Sequence, residues 1–128
     1  MTNHVHLLVE TIKHPTHTFI RQAHSHYAIY FNKKYDYVGH LFQGRYKGQP
    51  IPDITAFLQI SRYIHLNPVR ANLTATPDTY KWSSYPQYLS LKPLNPILTA
   101  TKIPKYFNGI EGYDKFVKAK ESVASDHP

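Results

Sequence analysis

The 128-residue chain contains no cysteine, which removes disulfides, thiolate metal sites and a cysteine nucleophile together. Acidic residues are scarce as well: eight Asp and Glu stand against fifteen Lys and Arg, leaving a net charge of +7. Such a balance favours a polyanionic partner, most simply nucleic acid, whose phosphates supply sequence-independent affinity. No apolar run approaches the ~18 residues that a membrane-spanning helix needs. The first ten residues include two His and end in Glu10, which is not a signal-peptide pattern. The expectation is a cytoplasmic protein without a membrane partner. Glycine-rich phosphate loops, an HExxH pair and a serine-centred elbow are also missing. Core-forming residues are plentiful, with 41% hydrophobic and 14% aromatic, so intrinsic disorder is excluded as the main state. Nine His and eleven Tyr stand out, because imidazole is the commonest side-chain metal ligand and tyrosine can act as a nucleophile.

Position decides what those residues do. Residues 4–10 are β-branched and apolar with polar alternation at the start, and read as a strand. Pro15 and Thr16 announce a helix over 17–34, with Phe19, Ile20, Ala23, Tyr27, Tyr30 and Phe31 recurring at helical spacing. Three glycines between 38 and 51 read as a loop, followed by a short strand near Arg45–Ile51. Pro52 and Asp53 open a second helix with Ile54, Phe57, Leu58, Ser61 and Ile64 on one stripe, and Pro68 is expected to stop it. Five of the ten prolines fall between Pro77 and Pro104, which excludes long regular structure there. A last helix is expected from Gly112 to Ser122, burying Tyr113, Phe116 and Val117. The domain organisation that follows is a core over 1–90 and a C-terminal extension with a short helix over 91–128.

Three constellations can carry chemistry. On a strand, His4 and His6 point to the same face, ~6–7 Å apart at the backbone, and can converge on one metal ion; a merely solvated or packed pair fits the same pattern. His24 and His26 have identical spacing inside a helix, where residues two apart diverge and cannot share an ion. Gln59, Tyr63 and Asn67 form one line on the second helix, with Tyr63 roughly opposite its apolar stripe. Asn67 can lend a carbonyl oxygen to a metal, or cap the helix end while Tyr63 packs under a loop. Finally, Phe42, Arg45, Tyr46, Lys47, Arg62, Arg70, Lys81, Trp82 and Tyr85 interleave charge with aromatic rings. Arg and Lys can follow a phosphate backbone while rings stack on unpaired bases, although a solvated face plus core aromatics has the same composition.

Four blocks occur in order: Asn3-His-Val-His6-Leu-Leu, Gly39-His-Leu-Phe-Gln-Gly-Arg-Tyr-Lys47, Tyr63-Ile-His-Leu-Asn-Pro-Val-Arg-Ala71 and Trp82-Ser-Ser-Tyr85. The series resembles the REP-associated tyrosine transposases, a branch of the HUH single-strand transposases of the insertion-sequence-200-like type. The resemblance implies a metal-dependent enzyme that cleaves and rejoins DNA through a 5′-phosphotyrosine. By position, Tyr63 matches the nucleophile, His4 and His6 the pair holding Mg²⁺ or Mn²⁺, and Asn67 the polar third ligand. Arg45, Tyr46, Lys47, Arg62 and Arg70 are the expected contacts to single-stranded or hairpin DNA. The implied fold is α+β, a ferredoxin-like antiparallel sheet with helices on one face, commonly a homodimer. In the family a strand, a helix and a second strand precede the His block, so the expected sheet is N-terminally incomplete. The alternative is a non-catalytic nucleic-acid-binding remnant of such a transposase, which would bind in a salt-sensitive manner and form no adduct.

Overall fold

The computed structural model describes residues 1–90, 95–99 and 101–119. Four α-helices follow one another: α1 (Thr16–Tyr35), α2 (Ile54–Arg70), α3 (Tyr85–Leu89) and α4 (Ile110–Lys118). Single 3₁₀ turns occupy Pro77–Thr79 and Pro104–Phe107. Among the described residues there is no strand, which overturns the expected ferredoxin-like antiparallel sheet. Alternation in residues 4–10 cannot by itself make a strand, because a ladder needs a hydrogen-bonded neighbour. The candidate neighbour, 45–51, carries Gly48 and Pro50, which weaken a strand and remove a ladder donor. Val5 accordingly stays largely exposed. No described helix is long and apolar enough to cross a membrane.

The chain divides into two compact units, one of Met1–Leu7 with Pro52–Pro128, the other of Leu8–Ile51. In the first unit, α2 begins where the Asp53 side chain accepts from the Ala56 backbone N–H at 2.8 Å, satisfying one of the orphan donors of the first turn. The helix does not stop before Pro68 as expected; it runs through to Arg70. Proline removes one bond, to the Ile64 carbonyl, but it sits in the last turn. There the Asn67 and Pro68 carbonyls are taken by the N–H groups of Ala71 and Leu73, both at 2.9 Å. The turn is therefore closed from beyond the proline.

The buried face of α2 also differs from the expected stripe. It runs through Ser61, His65 and Pro68, whereas Ile54 is exposed. What covers it explains the polarity: α3 and α4 bring Tyr85, Tyr88, Tyr113 and Val117 to a core that is aromatic and hydroxyl-bearing. The His65 ring lies 5.1, 5.3 and 5.9 Å from the rings of Tyr85, Tyr88 and Tyr113. α4 spans Ile110–Lys118 and buries Tyr113 and Val117, while Phe116 is half-buried; Ser122 lies outside the described residues. Gly112 lets α4 approach the preceding turn, since a Cβ there would fall 1.8 Å from the Phe107 carbonyl oxygen.

In the second unit, α1 matches its expected span within a residue at each end, but its inward stripe is Ile20, His24, Ala28 and Phe31. Phe19, Tyr27 and Tyr30 are about half exposed. A single helix covered only by its following loop has one narrow face to bury. The Phe42 ring stacks on His24 at 4.0 Å and lies 6.3 Å from Tyr27. Asp36 ends the helix in the left-handed conformation, and the Tyr37 N–H returns to the Asn32 carbonyl at 3.0 Å.

Burial holds the His65 imidazole well below its ordinary value, at about 4. Between pH 6.5 and about 4 the unfolded imidazole gains a proton that the folded one refuses. The unfolded state thus binds more protons, and stability falls as pH falls. The loss should reach on the order of 3 kcal/mol at the lower end. Thermal melts from pH 7 to 4 should show a falling Tm, and His65→Gln should flatten that slope; a flat profile in the unaltered protein would contradict the account.

Candidate active site

The segment Met1–Leu7 and the helix α2 belong to the same unit, and between them they gather the chemistry. The amino group of Met1 donates to the Tyr80 hydroxyl at 2.8 Å, which ties the segment down. The rings of His4 and His6 then lie 5.0 Å apart and nearly perpendicular, at 88°. Next to them stands Tyr63, whose ring centroid is 5.7 Å from that of His6 at 81°. The Arg70 guanidinium lies 5.4 Å from the Tyr63 ring, two turns further along α2. Four expected site residues, His4, His6, Tyr63 and Arg70, thus form one contiguous group.

Tyr63 is 45% exposed, so its hydroxyl is accessible to a large substrate. Asn67 follows one turn later and is only 9% exposed. Residues four apart on a helix lie on one side, which keeps Asn67 on the line that Tyr63 begins. His6 is partly buried and its imidazole is lowered from the ordinary value, chiefly by that burial and then by His4 and the N-terminal charge. A neutral imidazole is the form that ligates a metal. His4 has a partner of its own, since its Nδ1 donates to Asn3 Oδ1 at 2.7 Å. The proton held on Nδ1 leaves the lone pair on Nε2, the arrangement by which a neighbour orients a metal-ligating histidine.

Two neighbouring imidazoles are donors that a divalent ion could use. The two rings are 5.0 Å apart edge to face, a separation that an ordinary ring contact also shows. Among the described residues no group of three or more His, Cys, Asp or Glu could hold a metal ion. An ion held by the two histidines alone would need its other ligands from an amide oxygen, water or a phosphate oxygen.

The expected DNA contacts separate. Arg45, Tyr46 and Lys47 lie exposed in the other unit, in irregular backbone after α1. Arg62 is half-buried, and its Nε donates to the carbonyls of Phe116 at 2.9 Å and Val117 at 3.3 Å. Its Nη2 reaches the Ala119 carbonyl. Two contacts stand out that sequence reasoning missed. Asn3 orients His4, and only its place directly before the His pair could have pointed to it. Tyr113, far along the chain, bonds to the back of α2; no local signal announces that contact.

The family model described as Transposase IS200 like matches residues 1–67, just over half of the chain. That span holds His4, His6, Tyr63 and Asn67, and ends before α3 and α4 begin. No curated protein and no solved structure matches the chain.

The bond from His4 to Asn3 can be read directly. Nitrogen-15 spectra of the imidazoles above pH 7.5 should show His4 protonated on Nδ1, and Asn3→Ala should return it toward the Nε2-protonated form. A His4 signal that is Nε2-protonated in the unaltered protein would remove Asn3 from the site.

Proposed function

We propose a function from one premise: the chain belongs to the IS200-like transposase family. It acts as a metal-dependent single-strand DNA transposase of the REP-associated type, with single-stranded or hairpin DNA as substrate. The observation that carries this reading is the contiguous group of His4, His6 and Tyr63, with ring separations of 5.0 and 5.7 Å. Two imidazoles beside an accessible phenol are the parts that phosphotyrosine chemistry needs. The net charge of +7 favours a polyanionic substrate.

His4, His6 and Asn67 would hold Mg²⁺ or Mn²⁺, which would supply Lewis acidity to the scissile phosphate. Tyr63 Oη attacks the phosphorus in line and gives up its proton to solvent. The bond from phosphorus to the 3′ oxygen breaks, and that oxygen takes up a proton to leave a 3′-hydroxyl. A 5′-phosphotyrosine remains, so the energy of the phosphodiester is kept for rejoining by the reverse attack. Arg70, beside the Tyr63 ring, carries a fixed positive charge where the phosphate must sit. Asn3 holds the His4 ring through Nδ1 and leaves the Nε2 lone pair free to act as a ligand.

A labelled hairpin oligonucleotide with Mn²⁺ should give a denaturant-resistant adduct that maps to Tyr63. Tyr63→Phe should abolish it, a fall of roughly a thousandfold or more. His4→Ala and His6→Ala should lose adduct and Mn²⁺ binding while DNA affinity holds within about threefold. An adduct that persists in Tyr63→Phe would refute the nucleophile. Salt-sensitive binding with no adduct in the unaltered protein would establish the non-catalytic alternative instead.

A further inference from the structure

The helix that carries Tyr63 is held from behind by a second helix that the family match does not include. Ser61 Oγ and His65 Nδ1 both meet the Tyr113 hydroxyl, at 2.5 and 2.7 Å. His65 continues the chain through Nε2 to Ser84 Oγ at 3.0 Å. Tyr113 is fully buried, and Ser61 and His65 are 2% and 3% exposed. Beside this chain, Arg62 grips the C-terminal carbonyls of α4 at Phe116, Val117 and Ala119. A cation there also meets the negative end of the helix dipole. So three residues of the stretch 61–65, which has Tyr63 at its centre, are each bonded to α4.

We propose that α4 is a clamp that sets the rotation of α2, and that Ser61, Arg62, His65 and Tyr113 are positioning residues for Tyr63. This rests on the reading of Tyr63 as nucleophile. At 100° per residue, Ser61, His65 and Arg62 lie at 0°, about 40° and about 100° around α2, and Tyr63 at about 200°. The bonds therefore grip the side away from the phenol, from two different directions. One attachment would leave the helix free to roll about it; two offset attachments do not.

The leverage is large. The Tyr63 hydroxyl stands about 9 Å from the helix axis, so a roll of about 10° displaces it by about 1.5 Å. Misplacement of a reacting atom by about 1 Å can cost roughly a hundredfold in rate. Small losses of order on the buried side are thus magnified at the side that reacts. The same geometry assigns Arg62 to the clamp and not to DNA. Its Nε and Nη2 already have three carbonyl partners, and a phosphate would have to displace them.

The test uses the full chain with 3-fluorotyrosine placed at position 63 alone. Arg62→Ala and Tyr113→Phe are compared with the unaltered sequence at a temperature where all three are folded. Arg62→Ala sits at the half-buried edge of the contact and keeps the test open if Tyr113→Phe does not fold. Expected are one fluorine resonance in the unaltered protein and a broadened or split one in each variant. Single-turnover adduct formation at saturating hairpin DNA should fall at least about tenfold, with the DNA Kd unchanged within about twofold. Arg62→Lys keeps the charge but not the fork, and should behave like Arg62→Ala. If Arg62 is a phosphate contact instead, its loss weakens Kd, lowers the salt slope by about one and spares the saturated rate, which overturns the clamp. If no adduct forms even in the unaltered protein, the nucleophile reading fails, and the fluorine signal still decides: an unchanged resonance in both variants overturns the clamp.

Discussion

A single buried hydroxyl, that of Tyr113, organises the first unit. It has one hydrogen to give and lone pairs to receive, and Ser61 and His65 approach it from the same face of α2. Because all three groups are removed from water, leaving any of them unpaired would cost about 1–3 kcal/mol. The chain is satisfied with a neutral imidazole: each link through Ser61, Tyr113, His65 and Ser84 carries one hydrogen. The burial that lowers the His65 imidazole to about 4 and the hydrogen bonds are two aspects of one constraint. The neighbouring Tyr85 hydroxyl follows the same logic, donating to Asp114, which in turn meets Lys118 at 2.9 Å. A core made of tyrosines is held by where its oxygens go as much as by the area of its rings.

That constraint explains which parts of the fold were legible in the sequence. The existence of α1, α2 and α4 followed from helical spacing and from the Pro-Asp start at 52–53. Their inward faces did not. The α2 stripe was assigned to Ile54, Phe57, Leu58, Ser61 and Ile64, yet the buried line contains Ser61, His65 and Pro68. Periodicity ranks residues by hydrophobicity and cannot know that distant tyrosine hydroxyls make a histidine a good core residue. The expected sheet failed for a different reason: alternation is a property of one segment, whereas a ladder belongs to two. Pro68 shows the same limit at a helix end, because the donors that close the last turn come from Ala71 and Leu73.

The candidate site was more legible than the fold. His4, His6 and Tyr63 were singled out from spacing and from resemblance, and they come together although the secondary structure expected to present the histidines is absent. The two rings lie 5.0 Å apart without a sheet to present them. Arg70 joins them by simple helical arithmetic, seven residues being two turns. What could not be read was the support: Asn3 behind His4, and α4 behind Tyr63. Both are contacts of ordinary residue types whose roles come from position alone.

The absence of a ladder around residues 4–10 has a thermodynamic consequence for the site. In a sheet, the ordering of a strand is completed when the protein folds, and a ligand meets histidines already in place. Here Met1–Leu7 is held by the Met1–Tyr80 bond and by ring contacts of His4 and His6. Fixing one residue's backbone costs about 1–2 kcal/mol, and part of that cost is left for whatever binds between the imidazoles. Any ligand that bridged the two rings would have to supply the remaining order itself.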